Sequence, residues 1–204
     1  MNLDTPQLFA IAAALGWASG LRLYAVVFLT GMAGFLGWVD LPSGLKLLQS
    51  PVMLGASGLM LFVEFFADKI PGVDSLWDVI HTVVRIPAGA ALAASVFGAD
   101  HESWALAAAL MGGTLAATSH IAKATTRAAI NTSPEPFSNI GMSLVGDAAV
   151  PAALWLSWEH PWVFAAALLL ALVLMVTLIV VLGKFLRQLA RRVSHRFRAA
   201  QPSL

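Results

Sequence analysis

Six apolar stretches, each long enough or nearly long enough to cross a bilayer, occupy most of this 204-residue chain. A helix needs roughly 20 apolar residues to span the hydrocarbon core. The stretches run over about residues 7–35, 52–67, 79–97, 104–122, 140–158 and 162–183. The sixth is the cleanest and carries no charge. The first is unusually long and holds Gly16, Ser19, Gly20 and Arg22, so a bend or break is expected near its middle. The pattern predicts an all-α, polytopic integral membrane bundle of six transmembrane helices. Residues 1–183 form the membrane domain and residues 184–204 a basic tail.

Composition agrees and excludes several functions. Hydrophobic residues make up 59% of the chain and charged residues 11%, against about 25% charged in soluble domains. Twelve Lys and Arg against eleven Asp and Glu give no signal for nucleic acid. The chain has no cysteine, which removes disulfides, thiolate metal sites and Cys nucleophiles. Met1-Asn2-Leu3-Asp4 offers neither a basic leader nor a cleavage site, so the first apolar segment is expected to be retained.

Basic residues orient membrane segments by collecting on the cytoplasmic side. Lys184, Arg187, Arg191, Arg192, Arg196 and Arg198 follow the last segment and place the tail inside. Six crossings then put both termini in the cytoplasm. The connections with Lys69 and Arg85, and with Lys123 and Arg127, also fall inside. The outer connections hold one base, Lys46, among Asp40, Asp100, Glu102 and Glu159. Trp38, Trp104, Trp158 and Trp162 form an outer aromatic belt. The basic tail reads as a topogenic segment resting on anionic lipid.

Against this apolar background, polar side chains fall at helical spacing on four segments. Glu64 and Asp68, with Lys69, close the second. Asp74, Asp78, His81 and Arg85 open the third at intervals of four, three and four. His120, Lys123 and Arg127 close the fourth, and Asn139, Ser143 and Asp147 open the fifth. Lipid does not solvate such stripes, so they are expected to face one another, as a wet funnel closed by the Ala- and Gly-rich far halves. Arg22 must meet an acid at similar depth, Asp147 or Glu64. Asp74-Ser75 reads as a helix cap, and Gly16, Gly20, Gly112 and Gly113 as packing contacts. Pro87 and Pro151 favour kinks. The two hairpins share an outline of helix, Pro-containing polar turn and returning helix with an internal proline, which is a loose parallel repeat. No metal motif such as HExxH is present, and Ser133 and Ser138 lack a Gly-x-Ser-x-Gly setting. The residues call for no cofactor, no metal and no catalytic group.

Ser19-Gly20-Leu21-Arg22-Leu23-Tyr24, the Glu64 to Asp78 segment with its Asp68-Lys69-Ile70-Pro71 turn, and Thr125-Thr126-Arg127-Ala128-Ala129 together carry a resemblance. The chain resembles a family of bacterial multi-pass membrane proteins described only as a domain of unknown function, family 4126. The resemblance covers about residues 15–158. It implies the membrane class and brings no substrate, cofactor or catalytic residue.

The leading expectation is an inner-membrane permease or channel-like protein with a cytoplasm-facing polar cavity for an ion or small polar solute. Proton linkage would run through Glu64, Asp68, His81 or Asp147. Two alternatives stay open: a structural or assembly protein with interhelical ion pairs, and a membrane enzyme acting on a lipid-linked substrate, with the non-enzyme readings ahead. Expected partners are membrane lipids and a small ion or solute, not nucleic acid; homo-oligomerisation stays open.

Overall fold

A computed structural model describes residues 3–70, 72–98, 101–132 and 137–199. Pro71, Asp100 and Ser133 lie outside the described residues. Six α-helices and one 3-10 helix are present among the described residues: α1 (Thr5–Phe35), the 3-10 helix (Ser43–Gln49), α2 (Pro51–Ala67), α3 (Val73–Ser95), α4 (Glu102–Ile130), α5 (Phe137–Glu159) and α6 (Pro161–Ala199). No strand occurs among the described residues. Large apolar side chains such as Val83, Leu110 and Leu169 lie exposed on the outside of the bundle. An exposed apolar surface of this extent suits lipid rather than water.

Local chemistry sets the helix starts. Asp4 accepts a hydrogen bond from the Gln7 amide at 2.8 Å and caps α1, and Ser50 caps α2 through the Met53 amide. Both helices have Pro in the first turn, where its missing N–H is not needed. Gly72 turns the chain into α3 with φ +85°, a conformation that suits glycine. Asp74 does cap this turn, but from inside the helix: its Oδ1 accepts from the Gly72 and Ser75 amides. Helices α3 and α5 run through Pro87 and Pro151 as continuous elements. Helix α6 continues across Gly183 without interruption into the basic segment. Its 39 residues reach about 58 Å.

Helix α1 is central, largely buried, and packed against every other helix. It is not a single crossing. Arg22 alone leaves helical backbone, with φ −149° and ψ 86°, and the chain turns back there. Before the break, Gln7 donates from its side-chain amide to the Trp158 carbonyl at 2.6 Å. After it, Thr30 and Ala33 line a cavity with the same Trp158. In a straight helix Gln7 and Thr30 would lie about 35 Å apart. Phe9 meets Phe97, just past the end of α3, with ring centroids 5.0 Å apart. Gly31, on the other half, backs onto the carbonyl of Leu48. Both ends of α1 therefore share one end of the bundle, here the apolar end. The hairpin tip reaches the level of Lys123, about two turns short of the end of α4.

By length and composition, five helices, α1 and α3 to α6, could cross a membrane, or six with the 3-10 helix and α2 taken as one bent span. Five helices, α2 to α6, run from one end of the bundle to the other, and α1 enters and returns. The N-terminal end of α1 and the C-terminal end of α6 lie at opposite ends. The charges of the connecting loops are the same whether α1 crosses or returns. The expected break is present, at Arg22.

Around the hairpin, α3 and α4 pack closely through small residues. A Cβ on Gly16 would come within 2.5 Å of the Gly112 Cα. A Cβ on Gly20 would strike the Ala116 carbonyl, and one on Gly112 would strike the Ala93 side chain. Such approach is how membrane helices gain van der Waals contact where lipid supplies no hydrophobic drive.

Candidate functional site

The tip of the α1 hairpin meets the charged end of the bundle. The Arg22 Nη1 lies 3.0 Å from Asp68 Oδ2, just past α2, and its Nε lies 2.8 Å from Asp147 Oδ1 on α5. Its Nη2 donates to the Ser143 hydroxyl at 2.8 Å and carbonyl at 3.2 Å. Of the two acids expected for Arg22, Asp147 is a partner and Glu64 is not. Glu64 instead binds Arg85, 2.6 Å from its Nη2, and Arg85 Nη1 donates to Asp78 at 2.7 Å. Reach explains the difference. Glu64 is a full turn earlier on α2 and faces α3, while Asp68 ends the helix beneath the hairpin tip.

Asp68 and Asp78 join the two pairs into one network. Asp68 also contacts Lys123 at 3.0 Å and Arg127 at 2.8 Å, and Asp78 contacts both of these bases at 3.3 Å. Asp74 lies 4.0 Å from Arg127 Nε and accepts from Asn131. Lys69 closes the rim, 3.1 Å from Asp147 and 3.3 Å from Ser143. Five bases (Arg22, Lys69, Arg85, Lys123, Arg127) thus meet five acids (Glu64, Asp68, Asp74, Asp78, Asp147). Only Lys69 and Asp147 expose about a fifth of their side chains, at 19% and 23%, while the rest are buried.

The helix break contributes chemistry of its own. Lys123 Nζ donates to the Leu21 carbonyl at 2.9 Å. A cation there meets the negative end of the first half-helix. Irregular backbone at membrane depth is tolerated where protein buries it and satisfies its polar groups, and Lys123 does this at Leu21. Asp68 feels burial first, which opposes its charge; Lys123, Arg127 and Arg22 outweigh that and hold its carboxyl well below the usual carboxylate range.

The two histidines take different places. His120 faces Arg85 at 3.4 Å and shares a 2.7 Å hydrogen bond with the Thr82 hydroxyl. His81 lies to one side, stacked on Trp77 at 4.0 Å and 3.2 Å from the Tyr24 hydroxyl. Asn139 is fully buried, yet neither of its amide atoms has a hydrogen-bond partner among the described residues. Thr82, Trp77 and the Leu21 carbonyl were missed by the sequence reading. Thr82 was within reach of it, since it follows Asp78 by four residues on the same stripe. A backbone carbonyl carries no such mark.

Among the described residues, the meeting stripes leave no open funnel beside Arg22. The space beside Arg22, Asp68, Lys123, Arg127 and Ser143 is a cavity of about 20 Å³, close to the room one water needs. The stripes do face one another, but their own ion pairs fill the volume between them. Among the described residues, no group of three His, Asp or Glu is arranged to hold a metal.

The model of one protein family, described as a domain of unknown function (DUF4126), matches residues 9–181. The chain belongs to this family. The match extends beyond residues 15–158, over which the sequence resemblance runs, and takes in α6 up to residue 181. No curated protein and no solved structure matches the chain.

Proposed function

We propose that this DUF4126 protein is a small permease of the cell inner membrane, for an ion or small polar solute, seen in a closed state. The observation that carries this reading is the re-entrant α1. Its break brings the Leu21 carbonyl and the Arg22 guanidinium to the one place where charges from α2, α3, α4 and α5 converge. Discontinuous helices whose half-helix ends meet polar groups are a recurring way to build transport sites. The partly exposed Lys69–Asp147 pair is the rim through which such a path would open. The basic end of α6 sets that rim toward the cytoplasm. With α1 re-entrant, the N-terminus is external; a reporter fused there reads outside, and one fused after α6 reads inside.

A second reading has its own support. The charges balance five against five, and the space among them is nearly filled. A structural protein whose helices are clasped by ion pairs would look the same. Flux into liposomes separates the two readings. The wild type is expected to carry a proton, ion or small-solute flux above that of empty liposomes, raised by Lys69→Ala and abolished by Arg22→Ala. Flux equal to empty liposomes for the wild type and for Lys69→Ala, across protons, alkali cations, halides and small polar solutes, selects the clasp.

A further inference from the structure

Three bases converge on one acid where α1 breaks. Arg22 Nη1 lies 3.0 Å, Lys123 Nζ 3.0 Å and Arg127 Nη1 2.8 Å from the carboxylate of Asp68, which is fully buried. The same three bases, with Asp68 as the one acid, line the cavity of about 20 Å³. The returning half of α1 starts at the same break, and the positive end of a half-helix adds to the field of the bases. Such a set of cationic donors suits an anion, and here a side-chain carboxylate fills the place.

Asp68 differs from its neighbours in its hold on the backbone. It is the C-cap of α2 and opens the turn to α3, whereas Glu64, Asp78 and Asp147 lie within helices. Lys123 and Arg127 stand on α4. A change in the turn therefore withdraws the acid and leaves these bases in place. The charge balance then sets the valence of what replaces it. Without Asp68 the bases of the network exceed its acids by a single charge, and a buried charge left without a partner is costly. One monovalent anion restores neutrality. We propose that the Asp68 carboxylate occupies, in the closed state, a site for a small monovalent anion such as chloride or formate. Under the permease reading above, on which this step rests, that anion is the solute carried. It does not enter beside Asp68; it takes the place of the carboxylate and meets the nitrogens that now face it.

The test uses the full chain, in detergent and in liposomes. Asp68→Ala empties the site and is expected to be less stable than the wild type. Sodium chloride or sodium formate should restore part of the loss, raising the melting temperature by about 3–6 °C at about ten times the half-saturating concentration. Sodium gluconate, monovalent but too large for the site, should give no such rise at equal ionic strength. Glu64→Ala removes an equally buried acid that faces one base, Arg85, and should gain no more from chloride than from gluconate. Asp68→Ser takes the place of Asp68→Ala if the latter does not fold. In liposomes the wild type should carry chloride or formate above the level of empty liposomes, and potassium at that level. Rescue by gluconate equal to that by chloride, or equal rescue of Glu64→Ala, reveals general charge compensation and overturns the proposal. Potassium or proton flux with no anion rescue keeps the permease and overturns the anion site. Chloride rescue with no flux of any ion keeps the anion site and overturns the permease.

Discussion

The two ends of this bundle are held by different physics. At the apolar end and through the middle, α1, α3 and α4 approach until glycine meets backbone, as at Gly16 against Gly112 and Gly20 against Ala116. At the charged end, α2 and α5 are joined to α1 and to each other by ion pairs through Arg22, Lys69, Asp68 and Asp147. Glycine contacts are short-ranged and have one geometry. A charge network has several arrangements of nearly equal neutrality, because Asp68 and Asp78 each touch more than one base. The contrast assigns rigidity to α1, α3 and α4, and the capacity to rearrange to the attachments of α2 and α5.

The largest way to break the contrast is at Asp68. Its carboxylate faces Arg22, Lys123 and Arg127 while fully buried. Removing one partner from a buried ion network typically costs about 3–5 kcal/mol. Asp68→Asn keeps the shape and removes the charge, and is expected to lose stability on this scale in detergent unfolding. The acid limb of the wild type should agree in sign. The native-state pKa of Asp68 is depressed, so the stability it contributes is complete above its unfolded value, about pH 4, and is lost as pH falls from there through the native-state value. A neutral Asp68→Asn would mean that the bases are solvated and the network is not closed.

Next in size is the glycine seam. Gly112→Val adds a branched side chain where even a Cβ collides with Ala93, and overpacking typically costs about 1–3 kcal/mol. If the seam is the rigid part, this variant should lose stability while leaving the water accessibility of a cysteine placed at position 143, beside the network cavity, unchanged. A change in both would show that the two ends are coupled and that the division above is too sharp.

Much of this was legible in the sequence, and what was not has a physical cause. The membrane segments could be read from apolar length, and the meeting of four polar stripes followed from helical spacing and the cost of charge in lipid. The reversal at Arg22 was not legible in the same way. Gly16, Ser19, Gly20 and Arg22 marked a weak point, but whether a weak helix bends or turns back depends on its neighbours: here α5, which the two halves of α1 contact in opposite directions. Partner choice within the network was hidden for a similar reason. Glu64 and Asp68 share a helical face, and the end of α2 at Ala67 decides which of them lies beneath the hairpin tip. The missing funnel is a matter of volume. Spacing predicts which groups converge but not how much room arginine and lysine side chains leave between them.

Arg22 sharpens the comparison further, since it binds both Asp68 and Asp147. Residues in one ion network usually couple by about 0.5–3 kcal/mol. In double-mutant cycles of Arg22→Ala, coupling to Asp68→Asn is expected to exceed coupling to Asp147→Asn, because Asp68 is fully buried and Asp147 is about a quarter exposed. The reverse order would make the α5 contact the dominant one and would place the rigid boundary of the molecule at α5.

The smallest expected effect, and the most informative about function, is at Lys69. Its ammonium bridges Asp147 at 3.1 Å and lies 3.1 Å over the Phe65 ring, yet its side chain is 19% exposed. Pairs open to solvent contribute about 0–1 kcal/mol, so Lys69→Ala should change stability by no more than that. Its effect on access should be larger in proportion. Without Lys69 the rim loses a base and a packed stem, and Asp147 keeps only Arg22 among the bases that contact it. A cysteine at position 143, beside Lys69 on the same cavity and in a chain that has no cysteine of its own, should react faster with a water-soluble thiol reagent in the Lys69→Ala background, applied from the side that holds the end of α6. That pairing of small stability loss with increased access is what a gate gives and a clasp does not. Unchanged reactivity together with a loss of about 2 kcal/mol or more, on the buried-pair scale, would mean that Lys69 holds the helices together, and the two ends of the bundle would then differ in chemistry but not in mobility.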